Sequence, residues 1–212
     1  MILAAANLTK VFNKRVVFRG LSFEVRSGHI LSITGPNGSG KSTASKIICG
    51  LLSPTSGEVS LKNNGAPIDR DDLQNHIGFV APYLEFYGEF TATENLKIEM
   101  RARGQKPDSG KIDEVLELVG LSNRRNDELR GFSSGMKQRL KYAGAIVHEP
   151  DMLVLDEPTA NLDSAGIEMV LSVIQRYRKD RIVVIATNDE KEASLGDTRI
   201  VLDRSLGMKN GK

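Results

Sequence analysis

The nine residues Gly35 to Thr43, GPNGSGKST, carry the densest chemistry in the chain. Glycines at 35, 38 and 40 open backbone conformations that side chains disfavour, so successive N–H groups can converge on a β-phosphate while the helix that follows adds its positive end. Lys41 then reaches the β- and γ-phosphates and Ser42 offers an oxygen to Mg²⁺, with Pro36, Asn37, Ser39 and Thr43 completing the nucleotide-binding loop. The flanks agree: the apolar run His29 to Ile33 comes before, and a helix-compatible stretch from Ala44 to Gly50 comes after. The pattern implies a bound nucleotide; the competing reading is a glycine-rich turn of the same spacing.

A second group lies more than a hundred residues on. The apolar segment Met152 to Leu155 ends in Asp156 and Glu157, which places two carboxylates at the ligand-facing edge of a parallel sheet. Asp156 suits a Mg²⁺ shell, and Glu157 can orient and deprotonate an attacking water. Between the two groups, Ser133, Ser134 and Gly135 open a long helix, where an ordinary helix cap is one reading.

The elements that must position these residues follow from apolar periodicity. Segments Ile2 to Leu8, Val16 to Val25, His29 to Thr34 and Gly57 to Leu61 read as strands, so roughly the first eighty residues form a sheet-rich lobe around one helix. From Thr93 to Val119 the period turns helical: Glu94 to Arg103 is one helix, and a second is capped by Ser109, with Ile112, Val115, Leu116 and Val119 on one face. Met152 to Leu155 and Ile182 to Ala186, separated by a helix from about Ser164 to Lys179, read as buried parallel strands. The fold class is therefore α/β. The architecture expected is a P-loop NTPase core, on the strength of the phosphate loop, with a mostly parallel sheet, an N-terminal antiparallel β subdomain and an inserted α-helical subdomain. One domain is expected over 1–212, with 1–81 and 151–212 as the nucleotide-binding core and about 82–150 as the helical subdomain.

The 212 residues, 40% of them hydrophobic, suffice for an ordinary core. Lys and Arg number 29 against 27 Asp and Glu, too balanced to argue for a nucleic-acid or anionic-membrane surface, and no nucleic-acid partner is expected. Cys49 is the single cysteine, set among Ile47, Ile48 and Leu51, which excludes an intramolecular disulfide and suggests a buried, inert thiol in a reducing cytoplasm. No apolar run approaches a membrane span and the start lacks a basic leader. The tail after Asp203 is polar and short, which leaves no room for a regulatory domain.

Taken together, the phosphate loop, the segment Phe132 to Met136 and the string VLDEPTANLD closely resemble the ATP-binding cassette (ABC) family, specifically the nucleotide-binding subunit of an ABC transporter, along essentially the whole chain. The resemblance implies a family signature at Phe132, Ser133, Ser134, Gly135 and Met136, with Phe for Leu, Ser134 for a Gly and Met136 for Gln. In the family this segment faces the γ-phosphate held by a second subunit, so it implies a head-to-tail homodimer or heterodimer enclosing ATP. Phe12 falls at the position that stacks on adenine, with Val17 beside it; a plain core role for Phe12 is the alternative. Asp163 falls in the loop that communicates across the dimer and also suits a helix N-cap.

Two positions depart from the family pattern. Pro82 stands where a Gln usually contacts Mg²⁺ and the attacking water, and Asn188 stands where a His usually contacts the γ-phosphate. Proline offers no donor, whereas the Asn188 amide can donate without carrying charge. Losing one preorganised donor slows an enzyme by on the order of 10² to 10³, so these changes leave ATP binding intact and the rate of hydrolysis open. A genuine ATPase is expected, with Glu157, Lys41 and Asn188 as the catalytic set and Asn188 standing in for His as a donor. Nearby, Tyr83, Phe86, Tyr87 and Phe90 form an aromatic cluster, either subdomain core or the groove that takes a helix from a transmembrane permease. The function implied is ATP hydrolysis, with Mg²⁺, driving transport from the inner face of the cell membrane through that partner. The alternatives are a soluble non-transport ABC ATPase, or a weakly active regulatory half of a heterodimer.

Overall fold

Alternating inward and outward residues over Ile2–Phe12 (β1) and Arg15–Arg26 (β2) make an antiparallel hairpin. Its two-residue turn, Asn13 and Lys14, has φ of 46° and 68°, the left-handed pair that matches strand twist. The chain then enters Ile30–Thr34 (β3), passes through the phosphate loop and continues as helix Lys41–Ile48 (α1). Strands Ser56–Asn63 (β4) and Ala66–Pro67 (β5) return to the hairpin, giving an antiparallel sheet of order β2-β1-β4-β5. The short helix Leu73–His76 (α2) leads into Ile77–Val80 (β6).

The helical insert follows. Thr91 and Glu94 form a reciprocal capping box that starts Ala92–Ala102 (α3) two residues earlier than periodicity alone suggests. The next helix, Ser109–Leu118 (α4), corrects an expectation. Its cap is Asp108, whose carboxylate accepts from the N–H groups of both Gly110 and Lys111, while Ser109 is the first helical residue. Ser133 caps Ser134–Ile146 (α5) by accepting from the Met136 N–H at 3.2 Å. Met152–Asp156 (β7), Ser164–Tyr177 (α6), Ile182–Thr187 (β8), Glu190–Ala193 (α7) and Thr198–Val201 (β9) complete the order. This computed structural model describes residues 1–203, so the tail after Asp203 lies outside the described residues.

Every pairing in the second sheet, of order β6-β7-β8-β3-β9, is parallel. Strands β3, β7 and β8 are buried at every residue, as befits a sheet covered on both faces. Alternate residues sort the core in two. Ile30, Leu153, Leu155, Val183 and Ile185 face α3, α4, α5 and α6, whereas Leu31, Ile33, Val154 and Val184 face α1 and the antiparallel sheet. The helical insert therefore shares its core with one face of the parallel sheet. The aromatic cluster divides: Phe86 packs against this core, while Tyr83, Tyr87 and Phe90 are exposed.

Gly78 sets how close α5 comes to β6. A Cβ at Gly78 would lie 2.1 Å from the Ala145 carbonyl oxygen and 2.9 Å from the Pro150 ring. Gly78→Ala is expected to destabilise the protein by about 1–3 kcal/mol, read as a fall in the urea midpoint at unchanged slope. His76 supplies a second test. Burial pulls its imidazole down, but hydrogen bonds donated to Asp151 at 2.6 Å and Asp72 at 3.1 Å outweigh this and raise its pKa. A raised histidine stabilises fully below its unfolded value of about 6.5, and the contribution disappears as pH rises through the folded value. His76→Gln should therefore lower the melting temperature more near about pH 5.5 than near about pH 8.5; equal losses at both would refute the charged pairing.

Candidate nucleotide-binding site

The chemistry gathers at the carboxyl ends of β3, β7 and β8. After β3 the loop turns through Gly35, Gly38 and Gly40, all with positive φ, and delivers α1 with Gly40 in the N-cap position. No side chain caps α1, so its first amides stay available to an anion. A Cβ at Gly40 would sit 2.5 Å from Val17 Cγ1, so glycine lets the β1–β2 hairpin close over the loop. The resulting cleft, about 670 Å³, is lined by Phe12, Val17, Asn37, Gly38, Gly40 to Thr43 and Glu157. Phe12 is 46% exposed, which answers the core-or-cleft question in favour of the cleft, and Lys10 Nζ lies 4.5 Å from its ring centroid.

Lys41 is buried, with Nζ 2.9 Å from the Gly35 carbonyl oxygen and 3.5 Å from Glu157 Oε1. Asp156, only 1% exposed, has both carboxylate oxygens buried, with the Ser42 hydroxyl beside them. Burial raises its pKa, against the opposing pull of the nearby Ser42 hydroxyl, Lys41 and Lys46. A divalent cation fits here. Among the described residues no three His, Cys, Asp or Glu side chains cluster as a metal cage.

Glu157 follows β7 with φ 50°, its N–H donating to the Ala186 carbonyl at 2.8 Å. Burial raises its carboxyl, Lys41 draws it down, and Glu192 and Asp156 push it up again. A carboxyl held above its ordinary pKa is a stronger base once ionised than a solvated one. Asn188, at the end of β8, donates its side-chain amide to Asn37 Oδ1 at 2.9 Å. It lines a smaller adjoining cavity with Gly35 and Pro36, not the main cleft. At the other departure, the Pro82 carbonyl accepts from the buried Lys141 Nζ at 2.7 Å, which anchors the turn by its backbone.

The signature residues lie elsewhere. Ser133, Gly135 and Met136 line a separate surface cavity with Arg139, Asn161 and Asp163, and none of them lines the nucleotide cleft of their own chain. Ser134, also exposed, is the first residue of α5. Asp163 accepts from the Gly166 N–H and from Arg139 Nη2, each at 2.9 Å, and both hold its carboxyl below its ordinary value. Its N-cap role is thus satisfied within the chain.

Sequence reasoning missed Lys14 and Arg15, which bring positive charge to the cleft wall from the hairpin. A two-residue turn carrying basic residues next to a phosphate loop was the available signal. It also missed Glu192, which has no local motif; its carboxylate binds Thr159 two residues beyond Glu157.

The ABC transporter family model matches residues 18–160. An uncharacterized ABC transporter ATP-binding protein, YxlF of Bacillus subtilis (strain 168), is 36% identical over all of this chain and 69% of its own length. The bacitracin transport ATP-binding protein BcrA of Bacillus licheniformis is 36% identical over 87% of this chain, which covers 60% of that relative. Both relatives extend well beyond the aligned region. Among solved structures, the dimeric ATP-binding cassette MJ0796 in a post-hydrolysis state with ADP and Pi superposes with a TM-score of 0.85. It is 27% identical, and the match covers 99% of this chain and 98% of that one. The phosphate loop, the acid pair at the end of β7 and these relatives lead to one conclusion: the chain belongs to the ABC transporter family, as one of its ATP-binding ATPases.

Proposed function

We propose that the chain binds ATP with Mg²⁺ in the cleft beneath the β1–β2 hairpin and hydrolyses it to ADP and phosphate to drive transport through a membrane partner. One observation carries this reading above the others: Lys41 and Glu157 lie 3.5 Å apart beside the buried carboxylate of Asp156. A phosphate-gripping cation, a metal ligand and a base thus share one corner. Phe12 and Val17 hold the adenine, and the loop Gly35 to Thr43 wraps the phosphates with its backbone N–H groups, which Pro36 alone lacks. Ser42 and Asp156 would hold the metal, which when bound would supply positive charge to offset that of the phosphates. Glu157 takes a proton from a water whose oxygen attacks the γ-phosphorus as the bond to the β–γ bridging oxygen breaks.

The division of the site between two surfaces supports a dimer. Ser133, Ser134, Gly135 and Met136 meet the γ-phosphate held by a second copy or a paralogous subunit, with Asp163 at the contact. No helix among the described residues is long and apolar enough to cross a membrane, and in this reading a transmembrane permease holds the chain at the cytoplasmic face. The groove beside Phe86, with Phe79, Leu84 and Glu85 in its wall, is a suitable seat for a helix of that partner. The helical and nucleotide-binding parts, about 82–150 and the remainder, would then relay motion between ATP and permease.

A second reading, a slow half of a heterodimer, draws on Pro82 and Asn188. Pro82 has no side-chain donor, and the Asn188 amide is engaged with Asn37. ATP binding without measurable turnover by the purified chain would favour it.

Glu157→Gln is expected to lower kcat by about 10²–10⁴ while ATP still binds; unchanged turnover would remove Glu157 as the base. Asn188→Ala should lower kcat by roughly 10² if its amide turns to the γ-phosphate, and steady-state ATPase assays of the two variants side by side check both roles.

A further inference from the structure

We propose that Glu192 is a positioning residue for ATP hydrolysis, clamping the turn that carries Glu157 to the segment that carries Asn188; this rests on the reading of Glu157 as the base. Glu157 occupies the left-handed backbone region at φ 50°, a conformation that persists in a non-glycine residue only where the surroundings enforce it. Both residues that follow it are held by side chains from elsewhere. Tyr142, fully buried on α5, donates its hydroxyl to the Pro158 carbonyl at 2.7 Å. Glu192 on α7 accepts from the Thr159 N–H at 3.1 Å and, through the same Oε1, from the Thr159 hydroxyl.

Glu192 is 7% exposed, and its second oxygen is buried without a partner. A carboxylate kept in such a place is costly, and simple space-filling would be served better by an apolar side chain. What the acid adds is a double acceptor aimed at Thr159. The helix that bears it is fixed in turn. Asp189, the residue after Asn188, caps α7 by accepting from the N–H groups of Lys191 and Glu192 at 2.7 Å and 3.1 Å. One short helix thus joins the end of β8 to the turn after β7, so a shift of either alters the angle at which Glu157 meets water. Small displacements of a base from its line of attack lower rates steeply without weakening ground-state binding.

The test compares Glu192→Ala, Glu192→Gln, Thr159→Val and Glu157→Gln in the full chain, measuring kcat and KM for ATP hydrolysis, calorimetric affinity for Mg-ATP, and melting temperature. Glu192→Ala should lower kcat about 10- to 100-fold with KM and affinity held within about twofold. Glu192→Gln, whose amide oxygen can accept the same two bonds, should recover kcat to within about threefold of the parent. Thr159→Val, which keeps shape but loses the hydroxyl, should lie between, and it carries the test if Glu192→Ala does not fold. Normal kcat in both Glu192→Ala and Thr159→Val overturns the proposal. So does a parallel loss of kcat, affinity and melting temperature that Glu192→Gln fails to rescue, since that marks a purely structural role. If Glu157→Gln alone keeps full turnover, the assignment of the base fails instead, which separates the two ideas.

Discussion

A parallel sheet packed on both faces leaves its polar chemistry almost nowhere to go except the ends of its strands. In this chain β3, β7 and β8 bury every residue, so charge within them is confined to the last position, Asp156. The register lines those ends up: Thr34 pairs with Thr187, and Asp156 pairs with Ala186. The phosphate loop, the Glu157 turn and Asn188 all leave from that row. Their convergence follows from strand register, and the loops need only turn in the right direction.

Burial also tunes what sits there. Asp156 and Glu157 are both raised above ordinary carboxylates by desolvation, and Lys41 moderates each. Two neighbouring acids with one shared cation make a corner that favours an added positive ion or an added proton. The proposed division of labour between a metal ligand and a base matches how deeply each acid lies: Asp156 is inside the sheet edge, and Glu157 is one residue further out on a turn at φ 50°.

Much of this was legible from sequence because it is local. The loop from Gly35 to Thr43 encodes its own geometry through glycine and lysine spacing, and an apolar strand ending in two acids announces its carboxyl end. Continuous apolar runs betrayed the parallel strands for the same reason. Other features are set by distant partners. Thr198–Val201 is a largely exposed edge strand with little periodic signal, and Glu192 lies 33 residues from Thr159. Asp108 and Ser109 are both good caps, and only the actual path of the chain chooses between them. The aromatic residues after Pro82 look alike in sequence, yet Phe86 alone turns toward α5, where Gly144 leaves room for its ring.

Cys49 ends α1 almost wholly enclosed, and burial together with the Asp156 charge pushes its thiol far up. Thiolate is the reactive form, so alkylating reagents at neutral pH have little to attack. The protein therefore offers a quiet background for spectroscopy: a cysteine introduced at an exposed position can be labelled selectively with a fluorophore or nitroxide while the native sulfur is left in place.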